Sequence, residues 1–178
     1  MSERVLIVPI ATNDWWAPVV RWFLCSKYNH IFVLFEDSTL GGWWAREALF
    51  NGVQIISSER SSLSRVKHAE FYEYKDSLVP GLQESRKSVG VGYDRCGLVI
   101  NIFRMFLYKV FKIKWLRPVH DPEKHTCPED IMQIFEAVFV PGIDDLRPSM
   151  VMPGELRDFM LFSEDFHTVE NPTTFGGS

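Results

Sequence analysis

Apolar positions along the chain change their spacing several times, and each change marks an element. The run "VLIVPI" (residues 5–10) is continuously apolar and reads as a short buried strand ending near Pro9. In "NDWWAPVVRWFLCSK", Val19, Val20, Phe23 and Leu24 fall at helical spacing, with Asn13 or Asp14 placed to cap the helix. "HIFVLFE" (residues 30–36) is β-branched and aromatic, a strand buried on at least one side. Strand alternation puts His30, Phe32, Leu34 and Glu36 on one face. After the loop "DSTLGG", "WWAREALF" and "VQIIS" read as two strands joined at Asn51-Gly52, the strongest hairpin signal in the chain. "SRVKHAEFYEYK" alternates as one further strand.

The pattern then turns polar. Residues 76–91, with Pro80, Gly81 and Gly90, predict a mobile loop and leave open whether it covers a site. "YDRCGLVINIFRMFLYKVF" predicts a long helix and "WLRPVHDPEKHT" a connector. "TCPEDIMQIFEAV" predicts a second helix, with Pro128 in its first turn, where a missing N–H costs nothing. "PGELRDFMLF" predicts a short last helix, and residues 166–178 a flexible tail. One helix, consecutive antiparallel strands and then helices make an α+β chain: one domain over residues 1–165, its antiparallel sheet packed against helices.

Charge and composition narrow the function classes. A net charge of −4 gives no global electrostatic case for nucleic acid, so none is expected as a partner. Three cysteines, an odd number, argue against a disulfide scaffold and for a reducing, cytoplasmic setting. The amino-terminal apolar run is too short for a signal peptide. The stretch Gly97–Leu116 is the most lipid-like, but Asn101, Arg104, Lys109, Lys112 and Lys114 fit an amphipathic, packed helix better than a spanning one.

Cys127 stands out by position. Free backbone N–H groups and the dipole at a helix start favour a thiolate, whereas a packing cysteine belongs mid-way along an apolar face. Cys25 near a helix end and Cys96 inside an apolar helix fit the packing role. A cysteine hydrolase also needs an imidazole and a group that orients it. His30 opens the most hydrophobic strand, where an imidazole is costly without a partner; His125, two residues before Cys127, is an alternative base on a less rigid loop. Glu47, set among apolar neighbours on the next strand, is the leading orienting group. Its alternatives are Glu36 and Gln54, and its competing role is an ion pair with Arg46 or Arg21. His120, Asp121, His125 and Cys127 also cluster, but without the paired ligand groups of a structural zinc site, so neither metal nor cofactor is expected.

Several of these stretches resemble one family in the correct order. "TNDWWAPVVRWFLCSKYNHIFVLFED" resembles the opening of the permuted NlpC/P60 papain-like cysteine hydrolases, the YiiX/YebB-like group. "REALFNGVQII", "GVGYDRCGLV", "HTCPEDIMQIFEA" and "VMPGELRDFMLF" are similar to its later segments, so the resemblance spans about residues 12–162. It implies a papain-like fold with Cys127 as nucleophile, His30 as base, Glu47 as the orienting group and Tyr93 lining the substrate site. Histidine before cysteine is the permuted order. Pro128 stands where the family usually has Ser, which removes an N–H and a hydroxyl near the oxyanion position. The implied reaction is hydrolysis or transfer of an amide- or ester-linked acyl group through a thioester, on a small acyl or peptide substrate, peptidoglycan or lipid. Trp15-Trp16, Trp43-Trp44 and "YKVFKIKW" lean toward an apolar ligand or peripheral membrane contact, against ordinary core packing. The competing class is a non-catalytic papain-like module that grips a protein or lipid partner. Nothing in the pattern fixes an oligomeric state.

Overall fold

The structure, a computed structural model, describes residues 2–24, 26–94, 99–100, 103, 107, 111, 124–146 and 151–172. Its frame is an antiparallel sheet of seven strands: β1 Ser2–Thr12, β2 His30–Asp37, β3 Trp43–Leu49, β4 Gly52–Ser57, β5 Val66–Ala69, β6 Phe71–Tyr74 and β7 Phe166–Val169. The order is β4-β3-β2-β1-β6-β7, with β5 also paired to β1. Four helices are described over their full length: α1 Ala17–Leu24, α2 Val79–Glu84, α3 Cys127–Ala137 and α4 Pro153–Phe162. The chain is therefore α+β, with an antiparallel sheet and helices.

The apolar alternation feeds two cores. Ile7, Ile31, Val33 and Phe35 face α3 and α4, meeting Ile131, Ile134, Phe135, Leu156 and Met160. Leu6, Val8, Phe32, Leu34 and Ala45 pack together as a second cluster with Leu63 and Val66. Both faces of β1 and β2 are buried, which is why these strands read as unbroken apolar runs rather than as alternating ones. Each such side chain contributes about 1.5–3 kcal/mol on burial, so these two strands anchor the fold.

Five sequence expectations change in detail. The stretch read as one strand is two, β5 and β6, with Glu70 between them. In the shared register Glu70 falls opposite Pro9, which has no N–H to give, and the Glu70 N–H donates to the Pro9 carbonyl at 3.2 Å. The hairpin turn is Phe50-Asn51, since Leu49 pairs with Gly52. Gly52 is needed one position later: its φ is +105°, and a Cβ there would lie 2.5 Å from the Val91 carbonyl oxygen. The predicted loop at 76–91 contains α2 and a short 3₁₀ turn at Ser85–Ser88. Pro80-Gly81 masks this helix in the sequence, yet Pro80 sits in its first turn, and Gly81 lets the backbone close on α3, where a Cβ would meet the Ile134 oxygen at 2.3 Å.

The predicted tail begins with an ordered strand: β7 pairs with β6, and Phe166 packs on Phe135 at 5.3 Å between ring centroids. Helix α1 starts at Ala17, and the Asp14 carboxylate pairs with Arg65 at 3.2 Å. Of the long helix expected after Tyr93, Val99, Ile100, Phe103, Leu107 and Phe111 are helical; its other positions from 95 on and the connector through 123 lie outside the described residues. Among the described residues no helix is long and apolar enough to cross a membrane.

Candidate active site

Cys127 is the first residue of α3, and local sequence explains why the helix starts there. Thr126 is extended, with φ −90° and ψ 168°, and its N–H donates to Glu129 Oε2 at 2.6 Å. Pro128 fixes the first turn. One turn in, Asp130 accepts two hydrogen bonds from Arg46 of β3, Nε to Oδ2 at 3.0 Å and Nη2 to Oδ1 at 2.7 Å. Both residues are buried, so the start of α3 is tied to the sheet by a bidentate ion pair.

His30 is the first residue of β2, at the end of the sheet beside Cys127. A polar knot holds the chain just before it. The Thr12 N–H donates to Asn29 Oδ1 at 3.0 Å, Asn29 Nδ2 donates to Thr12 Oγ1 at 3.1 Å, and Arg21 Nη1 donates to the Thr12 carbonyl at 3.0 Å. The imidazole stacks on Phe32 at 5.9 Å and touches the Cys127 side chain. Its Nε2 is buried, has no hydrogen-bond partner among the described residues, and lies 3.7 Å from Glu47 Oε2.

Glu47 is fully buried next to Arg46 on β3, but on the opposite face. Its carboxylate is clamped by one residue: Ser62 donates its N–H to Oε1 at 2.7 Å and its hydroxyl to Oε2 at 2.8 Å. Tyr93 comes from the segment before the long helix, bridged in parallel to His125, and its ring meets Phe50 edge-on at 5.6 Å. It also contacts Cys127. The structure thus brings Cys127, His30, Glu47 and Tyr93 to one place.

Burial alone would strip His30 of its proton, but the facing Cys127 and Glu47 side chains outweigh it and push the imidazole up to about 10. Burial likewise raises the Glu47 carboxyl, while His30 and Ser62 more than compensate and hold it below its ordinary value. Burial pushes the Tyr93 hydroxyl well above its usual range, helped by Cys127, Glu129 and Asp94, so it stays a hydrogen-bond donor. The facing Cys127 and Glu47 side chains both favour the protonated form of the imidazole.

Cys127 and His30 open on a cavity of about 550 Å³. Its walls are mainly apolar, with Trp16 just before α1, Val20 and Leu24 from α1, Leu49 from β3, and Val151 and Met152 before α4. The alternative assignments go elsewhere. Arg46 pairs with Asp130 and Arg21 with Thr12 and Asn29, so neither is the partner of Glu47. Glu36 lies at the far end of β2, paired in register with Trp43, and Gln54 sits across from Glu47 on β4. The His125 ring meets Gln133 Nε2 at 3.2 Å. Cys25, Cys96, His120 and Asp121 lie outside the described residues, and among those described no group of three or more His, Cys, Asp or Glu is placed to hold a metal ion.

Against models of known protein families and against curated proteins, the chain gives no match. The geometry therefore stands by itself. Sequence reasoning missed Ser62, Asn29 and Asp130. Asp130 could have been found, because an acidic residue on the apolar side of a helix needs a cation. Ser62 carried no signal.

Proposed function

We propose that the protein is a cysteine-dependent hydrolase or acyltransferase with a permuted papain-like site, Cys127 acting as nucleophile, His30 as base and Glu47 as orienting carboxylate. One observation carries this reading: a thiol at a helix start touches a buried imidazole that has a clamped carboxylate behind it, beside an open cavity. With Nε2 turned toward Glu47, Nδ1 is the ring nitrogen left for the thiol. The raised imidazole equips His30 to hold the proton that the thiol gives up as the sulfur attacks.

The thiolate adds to an amide or ester carbonyl, forming the C–S bond and an oxyanion. The Cys127 N–H at the start of α3 receives that oxyanion, since Pro128 has no N–H, the Glu129 N–H is taken by the Thr126 side chain and the Asp130 N–H by the Thr126 carbonyl. One such donor is worth about 2.7–4 kcal/mol in the transition state. As the intermediate collapses, His30 gives its proton to the departing amine or alkoxide, leaving an acyl thioester on Cys127. Neutral His30 then takes a proton from water, or from an acceptor alcohol or amine. The resulting nucleophile displaces the thiolate, which with the proton on His30 completes the cycle.

The apolar walls fit an acyl chain or an apolar peptide better than a highly charged substrate. p-Nitrophenyl esters of increasing chain length, with matched anilides, test this directly. Turnover by the wild type and its loss in Cys127→Ala, with the fold retained, are expected. Undiminished hydrolysis by Cys127→Ala overturns the assignment. A thiol-directed probe that labels Cys127 with no turnover on any acyl donor favours the binding-module reading instead.

A further inference from the structure

Helix α1 is apolar on two sides. Trp16, Val20 and Leu24 line the cavity. The adjoining stripe, Trp15, Val19 and Trp22, is turned to solvent, at 88%, 55% and 53% exposure. Val19 and Trp22, three apart, share one side of the helix, and Trp15 stands in the turn just before it. Val99 lines the same cavity yet is 64% exposed, and Ile100 next to it in sequence is 43% exposed. Large apolar side chains thus stand outward from two segments that line one cavity, and two of them are tryptophans. Indole favours the boundary between water and hydrocarbon, with its ring in the apolar zone and its N–H at the polar edge.

Charge selects the surface that would cover this rim. Between Arg95 and His120 the sequence holds Arg95, Arg104, Lys109, Lys112, Lys114 and Arg117 and no acidic residue, although the whole chain carries −4. Val99 and Ile100 belong to this basic, aromatic stretch. Exposed tryptophans in a chain whose cavity-lining Val99 belongs to so cationic a stretch of sequence match an anionic lipid surface, where apolar insertion and attraction to headgroups add. A protein partner would not call for so one-sided a charge. We propose that the rim formed by Trp15, Val19, Trp22, Val99 and Ile100 docks on the surface of an anionic lipid bilayer, with the mouth of the Cys127 cavity facing it. This holds whether or not the site is catalytic.

The test is sedimentation of the full chain with vesicles of phosphatidylcholine alone and of phosphatidylcholine mixed with phosphatidylserine. Binding to the mixed vesicles, weakened by high salt, is expected. The double substitution Trp15→Ser with Trp22→Ser should lower partitioning about ten-fold or more. Circular dichroism should show the fold retained, with only a small drop in melting temperature, since Trp15 is 88% exposed while Trp22 still meets Phe23 edge-on at 5.0 Å. Failure to bind mixed vesicles, or binding that survives the double substitution, overturns the proposal. So does a dimer in sedimentation velocity that the same substitution dissolves, which would assign the rim to a second copy of the chain.

Discussion

Arg46 and Glu47 are adjacent on β3, both are fully buried, and each faces an opposite charge, yet they make very different ion pairs. Arg46 grips Asp130 through two bonds of 3.0 and 2.7 Å on the helix-covered face of the sheet. Glu47 looks the other way, saturates its oxygens on Ser62, and stays 3.7 Å from His30. The first pair is closed and bidentate, the geometry that fixes one element against another. The second is longer and leaves the imidazole in contact with Cys127 as well. A buried ion pair says little by itself; whether its members can still reach a third group separates a fastener from a reactive site.

The sharpest way to break the fastener is Arg46→Met, which strands the Asp130 carboxylate in the core and should cost about 3–5 kcal/mol in urea unfolding. Adding Asp130→Leu should recover most of that loss, because a well-packed apolar pair replaces a buried ionic one at little cost. If the single substitution changes stability by less than about 1 kcal/mol, the pair is not closed as described.

On the other side of the strand, Glu47→Gln keeps a partner for Ser62 but removes the charge facing His30. Acyl turnover should fall about ten- to hundred-fold, the value of a hydrogen bond or contact to a charged group, with a smaller effect on stability than Arg46→Met. The pH profile shows whether the loss runs through His30. With the imidazole raised to about 10, wild-type kcat/KM should hold through neutral pH and decline as His30 loses its proton near that value. Without Glu47 the cationic form is less favoured, so the alkaline decline must move to lower pH. The same linkage acts on stability: the contribution of His30 is complete below its ordinary value of about 6.5 and is lost as pH rises toward 10. A stability curve that His30→Gln leaves unchanged over that window would contradict it.

Ser62→Ala is the mildest change. It removes one of two bonds to Glu47 while the backbone N–H remains, so a loss near 1 kcal/mol or a few-fold in rate is expected. An effect as large as that of Glu47→Gln would mean that the clamp, rather than the charge, sets the position of His30.

Strands β1 and β2, helices α3 and α4 and the choice of Cys127, His30 and Glu47 as residues to watch were legible in the chain, because each rests on local spacing or on a polar group in apolar surroundings; Tyr93 entered only through the family resemblance. The break at Glu70 was hidden, since it depends on which residue of β1 lies opposite. Helix α2 was hidden because Pro80-Gly81 signals a loop until α3 closes on it. The clamp on Glu47 was hidden as well: it is the backbone and hydroxyl of Ser62, a contact between segments that no local pattern encodes.

Local chemistry along the chain settled the α+β class, the strand that begins with a histidine and the helix that begins with a cysteine, because period, capping and proline placement act within a few residues. Only the tertiary structure decided that these two beginnings meet, that Glu47 stands behind the imidazole while Arg46 turns to the helix, and that a cavity opens beside them. Such distances depend on sheet register and helix docking, and these are fixed by contacts between residues far apart in the chain.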